Sequence, residues 1–321
     1  MNLIEKLEPI ILITAIAMGL ILSNIDLLAN NIGNLTSLFL CLMLYGLFLE
    51  IPLKDLKKSF KNLKFTSTSI IINFIWTPLF GYFLGNLFLN GNIDIFIGFF
   101  MLILTPCTDW YLVFTKMTKG DLNLSLSLLP INLILQIVLL PIYLIIFFSS
   151  NNSMNYTNLG YSLLIVIIIP LVLAQITKLI LNNNLEVKLS SFFSKYQIIF
   201  LALAVFAIFN SEGNLLFKNL NSVLTIFIPL IIFFATNTII DLLLSEKINF
   251  TYEEYASLTM TTLARNSPLA LAIAINSFPG RELIAIALVI GPLIELPILY
   301  IVSKFALWIK NSGLFFTCKI F

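Results

Sequence analysis

Apolar positions in this chain do not alternate with polar ones; they run. Stretches of roughly twenty Leu, Ile, Phe and Val are separated by short breaks that carry Lys, Asn, Asp or Gly. A helix needs about 20 such residues to cross a hydrocarbon core of ~30 Å. The runs predict ten spans, at about 7–29, 35–52, 65–89, 93–116, 122–149, 157–181, 193–210, 216–244, 254–277 and 282–309. The connections leave no room for a soluble domain, so residues 1–321 are expected to form one all-α polytopic transmembrane domain. The first run, Leu7 to Leu28, is longer than a signal-peptide core and lacks a small-x-small cleavage pattern, which predicts a retained span.

Lysine gives the direction. The segment KDLKKSFKNLK at 54–64 places five lysines between spans two and three. Assigning it to the cytoplasm puts both termini there and collects fifteen of the 18 Lys and Arg residues on that side; Lys218 and Arg281 fall outside and Arg265 lies within a span. This is the positive-inside asymmetry.

Proline adds a second order. LTPCTDWYLVFT (104–115) in span four and LARNSPLALAIA (263–274) in span nine each hold a proline, Pro106 and Pro268, followed by a glycine and a charge, Gly120-Asp121 and Gly280-Arg281. Each leads into a span expected to be interrupted by proline, LLPINLILQIVLLP (128–141) and VIGPLIELP (289–297), and spans three and eight carry Pro78 and Pro229. Two repeats of five helices, about 1–150 and 151–321, account for the order, the second inverted because five is odd.

A proline deletes a backbone donor and clashes with the preceding turn, so a helix broken in mid-bilayer must find new partners for its carbonyls. Thr105-Pro106 and Ser267-Pro268 read as a hydroxyl cap followed by proline at the start of a fresh half-helix. Two such starts would aim bare N–H groups and positive dipole ends into a shared space. Asp109 follows Pro106 by three residues and Arg265 precedes Pro268 by three, so crossed breaks would let carboxylate and guanidinium pair. The bland reading is a structural ion pair between two kinked helices. Glu295 in span ten is a third deep charge, either a proton carrier or a second partner of Arg265; the matching stretch of span five offers neutral Asn132 and Gln136. Cys107 lies just after the break, where a helix start favours thiolate, although a lone membrane cysteine is more often a small hydrophobe. A soft sulfur there suits a thiophilic solute such as trivalent arsenic.

Composition narrows the classes. With 59% hydrophobic residues, 11% charged and mean hydropathy +1.01, lipid must solvate most side chains. Histidine is absent, which removes Ser-His triads, histidine metal ligands and histidine pH switching. Cys41, Cys107 and Cys318 form no C-x-x-C pair, and no resident metal or cofactor is expected. A net charge of +2 without a basic-aromatic cluster gives no footprint for nucleic acid, and no phosphate-binding loop for ATP occurs. Asp109 and Glu295 are two carboxylates, but no intramembrane-protease motif surrounds them, so the chain is read as a non-enzyme.

PCTDWYLVFT and ARNSPLALAIA, with the ten-span layout, resemble the bile acid:sodium symporter superfamily, and within it the bacterial arsenical-resistance permeases. The resemblance spans essentially the whole chain and implies a secondary transporter in the plasma membrane. Its crossed, discontinuous helices four and nine rock against the remaining spans. It also implies that Cys107, matching the cysteine after a proline in span four, contacts a metalloid. Two positions depart from the pattern. The arsenite exporters carry a glutamate where Ala270 precedes Leu271-Ala272-Ile273-Ala274. Sodium-coupled members carry a glutamate four residues before a Gln-Asn pair, where this chain has Thr261 before Arg265-Asn266. A fixed guanidinium repels sodium, so proton coupling is expected instead.

The expected function is efflux of a small metalloid such as arsenite. Cys107, Thr108, Asp109, Arg265, Asn266 and Ser267 would bind it, Asp109 and Glu295 would serve coupling, and Thr105, Pro106 and Pro268 would mark the breaks. Transport of a small organic anion on Arg265 is the alternative, and a passive channel a second one. The expected partners are the solute and membrane lipid.

Overall fold

The computed structural model describes residues 3–23, 35–50, 62–108, 110–148 and 168–312, and every regular element of length among them is a helix. In chain order these are α1 (Leu3–Leu22), α2 (Thr36–Glu50), α3 (Leu63–Ile71), a π-helical turn (Ile72–Trp76), α4 (Thr77–Phe88), α5 (Ile93–Leu104), α6 (Trp110–Met117) and α7 (Leu122–Phe148). There follow α8 (Ile169–Ile180), α9 (Asn183–Lys218), α10 (Leu220–Leu224), α11 (Phe227–Lys247), α12 (Tyr252–Leu263), α13 (Ser267–Ser277) and α14 (Glu282–Ser312). Among the described residues, five continuous stretches are long and apolar enough to cross a membrane: Leu63–Phe88, Leu122–Phe148, Asn184–Ser211, Leu220–Lys247 and Glu282–Ser312.

Burial is inverted relative to a water-soluble fold. Along the π turn and α4, Ile75, Leu79, Phe83 and Leu87 line one exposed face at helical spacing, while Asn73, Thr77 and Gly81 are buried. Asn132, Gln136, Asp241, Arg265 and Glu295 are likewise buried. Apolar side chains exposed on helix faces, with polar and charged ones withdrawn into the packed interior, are what lipid as solvent selects.

Two expected interruptions are absent. α7 runs through Pro130 and Pro141, and α14 runs through Pro292 and Pro297, so the prolines of spans five and ten do not break their helices. A membrane helix tolerates proline where neighbouring groups resatisfy the freed carbonyl. α9 is also longer than the run at 193–210 suggests, at both ends; on its N-terminal side the mixed residues 183–192 contain neither Pro nor Gly to stop it.

The helices group into two compact units. The first comprises Met1–Ile51, Asn151–Leu224 and Pro268–Val289. In it α1 approaches α9 at Gly19, where an added Cβ would meet the Phe206 carbonyl at 2.8 Å, and Tyr45 on α2 bonds Thr177 on α8 at 2.8 Å.

The second unit comprises Pro52–Ser150, Thr225–Ser267 and Ile290–Phe321. α11 and α12 form a hairpin whose second arm starts with a capping box: Thr251 accepts from the Glu254 amide, and Glu254 accepts from the Thr251 amide. The turn before α7 docks on α12, with the Asp121 amide on the Glu253 carbonyl and Ser257 on the Asp121 carbonyl. The π turn leaves the Phe74 carbonyl to the Tyr143 hydroxyl of α7 and carries Asn73 inward. These contacts fix the frame around two breaks.

Candidate functional site

α5 ends at Leu104 and α6 begins at Trp110; α12 ends at Leu263 and α13 begins at Ser267. Thr105 and Ala264 leave these helices in extended conformation, and Pro106 pairs with Arg265 in an isolated antiparallel bridge. The Cys107 amide donates to the Ala264 carbonyl at 2.9 Å, and the Asn266 amide donates to the Thr105 carbonyl at 2.6 Å. These two bonds take up backbone groups that both breaks release inside lipid.

The geometry of the bridge explains its residues. With the bonds at the flanking positions, Pro106 and Arg265 form the pair whose own N–H groups point away from the partner strand. Proline is harmless there because it has no donor to lose. Arg265 does have one, and Glu295 Oε1 accepts it at 2.8 Å. The asymmetry between Glu295 in span ten and neutral Asn132 and Gln136 in span five follows: only one strand of the bridge has a donor in need of a carboxylate.

Thr105 acts differently from its expected role. Its hydroxyl reaches back to the Met101 and Leu102 carbonyls at 3.2 and 3.1 Å, closing the end of α5, and the next helix starts at Trp110 rather than at Pro106. Ser267 and Pro268 are the first two residues of α13.

Arg265 is 3% exposed. Its Nη1 donates to Asn73 Oδ1 at 3.3 Å, its Nη2 to the Thr262 carbonyl, and the guanidinium stacks over the Phe233 ring at 5.0 Å. Nε finds no acceptor among the described residues. Glu295, Asp241 and the Cys107 thiol lie near enough to interact with it electrostatically. Cys107 is 5% exposed, and buried Thr108 accepts from the Asn266 side-chain amide at 3.4 Å. Ser267 is buried at the start of α13.

The structure thus brings Thr105, Pro106, Cys107, Thr108, Arg265, Asn266 and Glu295 together, while Asp109 lies outside the described residues. It also recruits Asn73, Phe233, Asp241 and Thr262, which sequence reasoning did not select. A signal for them existed. Asn237 and Asp241 lie four apart on one helix, as do Asn73 and Thr77 across the π turn and α4, so each pair shares one face. Among the described residues no three Cys, Asp or Glu side chains gather as a metal-holding group.

Exposed apolar helix faces, buried polar side chains and two paired helix breaks mark a polytopic helical membrane protein. Residues 37–219 match the model of the Sodium Bile acid symporter family, more than half of the chain, and the chain belongs to that family. It is similar to the arsenical-resistance protein Acr3 of Corynebacterium glutamicum, 26% identical over 96% of this chain and 90% of that protein. A protein of the same name from Alkaliphilus metalliredigens is 24% identical over 84% of this chain and 80% of its own length. An uncharacterized transporter of Synechocystis sp. is 24% identical, covering 88% and 81%. The chain is therefore a membrane transporter of this family, not an enzyme.

Proposed function

We propose that this transporter exports a small metalloid such as arsenite across the plasma membrane in exchange for protons. In this reading the chain spans the bilayer ten times as two inverted repeats of five, with both termini cytoplasmic. The lysine asymmetry and the ordered prolines support that layout. Cys107 carries the assignment. It is a thiol held on extended backbone by the Ala264 carbonyl, beside the Arg265 guanidinium, where both helices are open. Its S–H displaces one hydroxyl of trivalent arsenic as water and forms a single As–S bond; the reverse exchange releases the cargo. One thiol holds weakly enough for turnover. Asp109, Arg265, Thr108, Asn266 and Ser267 order the polar side of the site, and Glu295 fixes the bridge strand.

Arsenite accumulation in everted vesicles tests this directly. Cys107→Ser keeps the backbone bond and the volume but removes the soft ligand; it is expected to lower arsenite flux about tenfold or more, a loss of at least ~1.4 kcal/mol of stabilisation. Undiminished flux would remove the thiol from the mechanism.

The Nε of Arg265, which has no acceptor among the described residues, favours one alternative, a small organic anion bound to the guanidinium. Competition of arsenite flux by small carboxylates separates the two. A passive channel differs from both in that its flux follows only the permeant's own gradient.

A further inference from the structure

A second buried carboxyl lies beside the bridge and has no part in the steps above. Asp241 on α11 is fully buried and faces α12. Its Oδ2 accepts from the Thr262 hydroxyl at 2.5 Å, while Oδ1 has no hydrogen-bond partner among the described residues. Thr262 stands three residues before Arg265, and its carbonyl accepts from the Arg265 guanidinium.

The Thr262 hydroxyl has one proton and three acceptors in reach: Asp241 Oδ2, the Leu258 carbonyl at 3.0 Å and the Thr259 carbonyl at 3.2 Å. One proton cannot serve them all. With Asp241 ionised, the hydroxyl donates to the carboxylate, and a separation of 2.5 Å is at the short end for such a bond. With Asp241 protonated, its O–H donates to Thr262 Oγ1, and the Thr262 proton returns to the backbone of its own helix. Both arrangements fit the same heavy-atom positions.

Charge favours an exchangeable proton here. The buried ionic side chains described in this unit are Arg265, Asp241 and Glu295, one cation against two carboxyls. Uncompensated charge in lipid costs at least a few kcal/mol, and one proton neutralises the set. Glu295 is committed to the Arg265 amide, whereas Asp241 Oδ1 has no partner among the described residues.

The groups facing Asp241 are few. Tyr255 and Thr262 come from α12, and Arg265 from the strand beyond it. Glu246 and Lys247 lie at the end of its own helix. From α14, Ala306 and Ile309 pack beside neighbouring Leu242 and bring no charge, while Glu295 acts on Arg265. The π turn brings no titratable side chain: Asn73 bonds Arg265, and Trp76 bonds Asn237, one turn from Asp241.

We propose that Asp241 takes up and releases the coupling proton, with Thr262 as its switching partner, so that occupancy is registered beside Arg265. The step is a bare proton transfer from water to carboxylate; it breaks no other bond and takes the three-residue set from net −1 to neutral. The role in coupling rests on the exchange reading above, whereas the protonation itself does not.

The test uses the full chain in lipid nanodiscs without cargo, followed by infrared difference spectroscopy against pH. A C=O stretch of a protonated carboxyl should appear on acidification. Asp241→Asn should abolish it, Glu295→Gln should leave it, and Thr262→Val should shift its frequency and midpoint. If Asp241→Asn fails to fold, Asp241→Glu and Thr262→Val still decide, because each must move the band. In arsenite-loaded proteoliposomes, Asp241→Asn should also remove the acceleration of flux by a pH gradient. Survival of the band in Asp241→Asn, or its loss in Glu295→Gln instead, would overturn the assignment. So would a band indifferent to pH but displaced when sodium replaces choline, which would make Asp241 a cation ligand. An intact band without arsenite flux would count against the metalloid cargo alone.

Discussion

The amide of Asn266 donates to the carbonyl of Thr105 at 2.6 Å, although the two residues are 161 positions apart. With the return bond from Cys107 to Ala264, this contact turns two defects into one element. A broken helix exposes donors and acceptors that lipid cannot satisfy. Two breaks placed side by side satisfy part of each other's need and leave Cys107 and Arg265 off the helices.

Arg265 should not tolerate lysine. Its stacking on Phe233 and its separate bonds to Asn73 and the Thr262 carbonyl need a planar fork, which an ammonium lacks. Arg265→Lys is expected to abolish most flux. Arg265→Leu should also destabilise the fold by about 3–5 kcal/mol, because it strands buried carboxyls. Vesicle transport and thermal unfolding in detergent measure the two effects.

Glu295 is predicted to separate acceptor from charge. Glu295→Gln keeps an oxygen for the Arg265 amide and should fold near normally. Glu295→Leu leaves that buried N–H without an acceptor and should cost about 1–3 kcal/mol. Unfolding midpoints of the two variants check this; equal losses would mean that the charge, not the hydrogen bond, holds the bridge.

Gly291 lets α14 close on the end of α5. A Cβ there would stand 2.6 Å from Leu102 Cδ2, and Leu102 is buried two residues before the end of α5. Gly291→Val should cost about 1–3 kcal/mol by overpacking and lower transport by displacing Thr105. Gly291→Val with Leu102→Ala should recover part of the stability.

At the entrance to α12, Lys310 lies 2.8 Å from Glu253. Its hydrogen bond holds the Glu253 carboxyl below the usual carboxylate range. The stability from this pair is therefore present above the ordinary carboxylate value and fades as pH falls through the lowered one. Both side chains are partly exposed, so Glu253→Gln should cost under about 1 kcal/mol, and less in high salt. Thermal unfolding against pH, with and without added salt, reads the difference.

Legibility in the sequence divided along physical lines. Pro106, Pro268 and the charges beside them announced breaks, because proline and buried ions are costly in lipid wherever the chain goes. Pro130, Pro141, Pro292 and Pro297 carry the same local signal, yet α7 and α14 continue through them. Whether a proline breaks a membrane helix depends on what its neighbours offer the freed carbonyl. Asp241 went unselected because one carboxylate near the polar end of a span reads as a boundary residue.

The sequence by itself determined the solvent, the helical class and the residues able to do unusual chemistry, since composition and hydropathy act through each residue alone. Only the tertiary structure decided that Pro106 meets Arg265, that Glu295 serves a backbone amide, and that Thr262 stands between Asp241 and the guanidinium. Those are pairings between groups far apart in the chain. Their free energy comes from satisfying a specific donor or charge out of water, which no single position encodes.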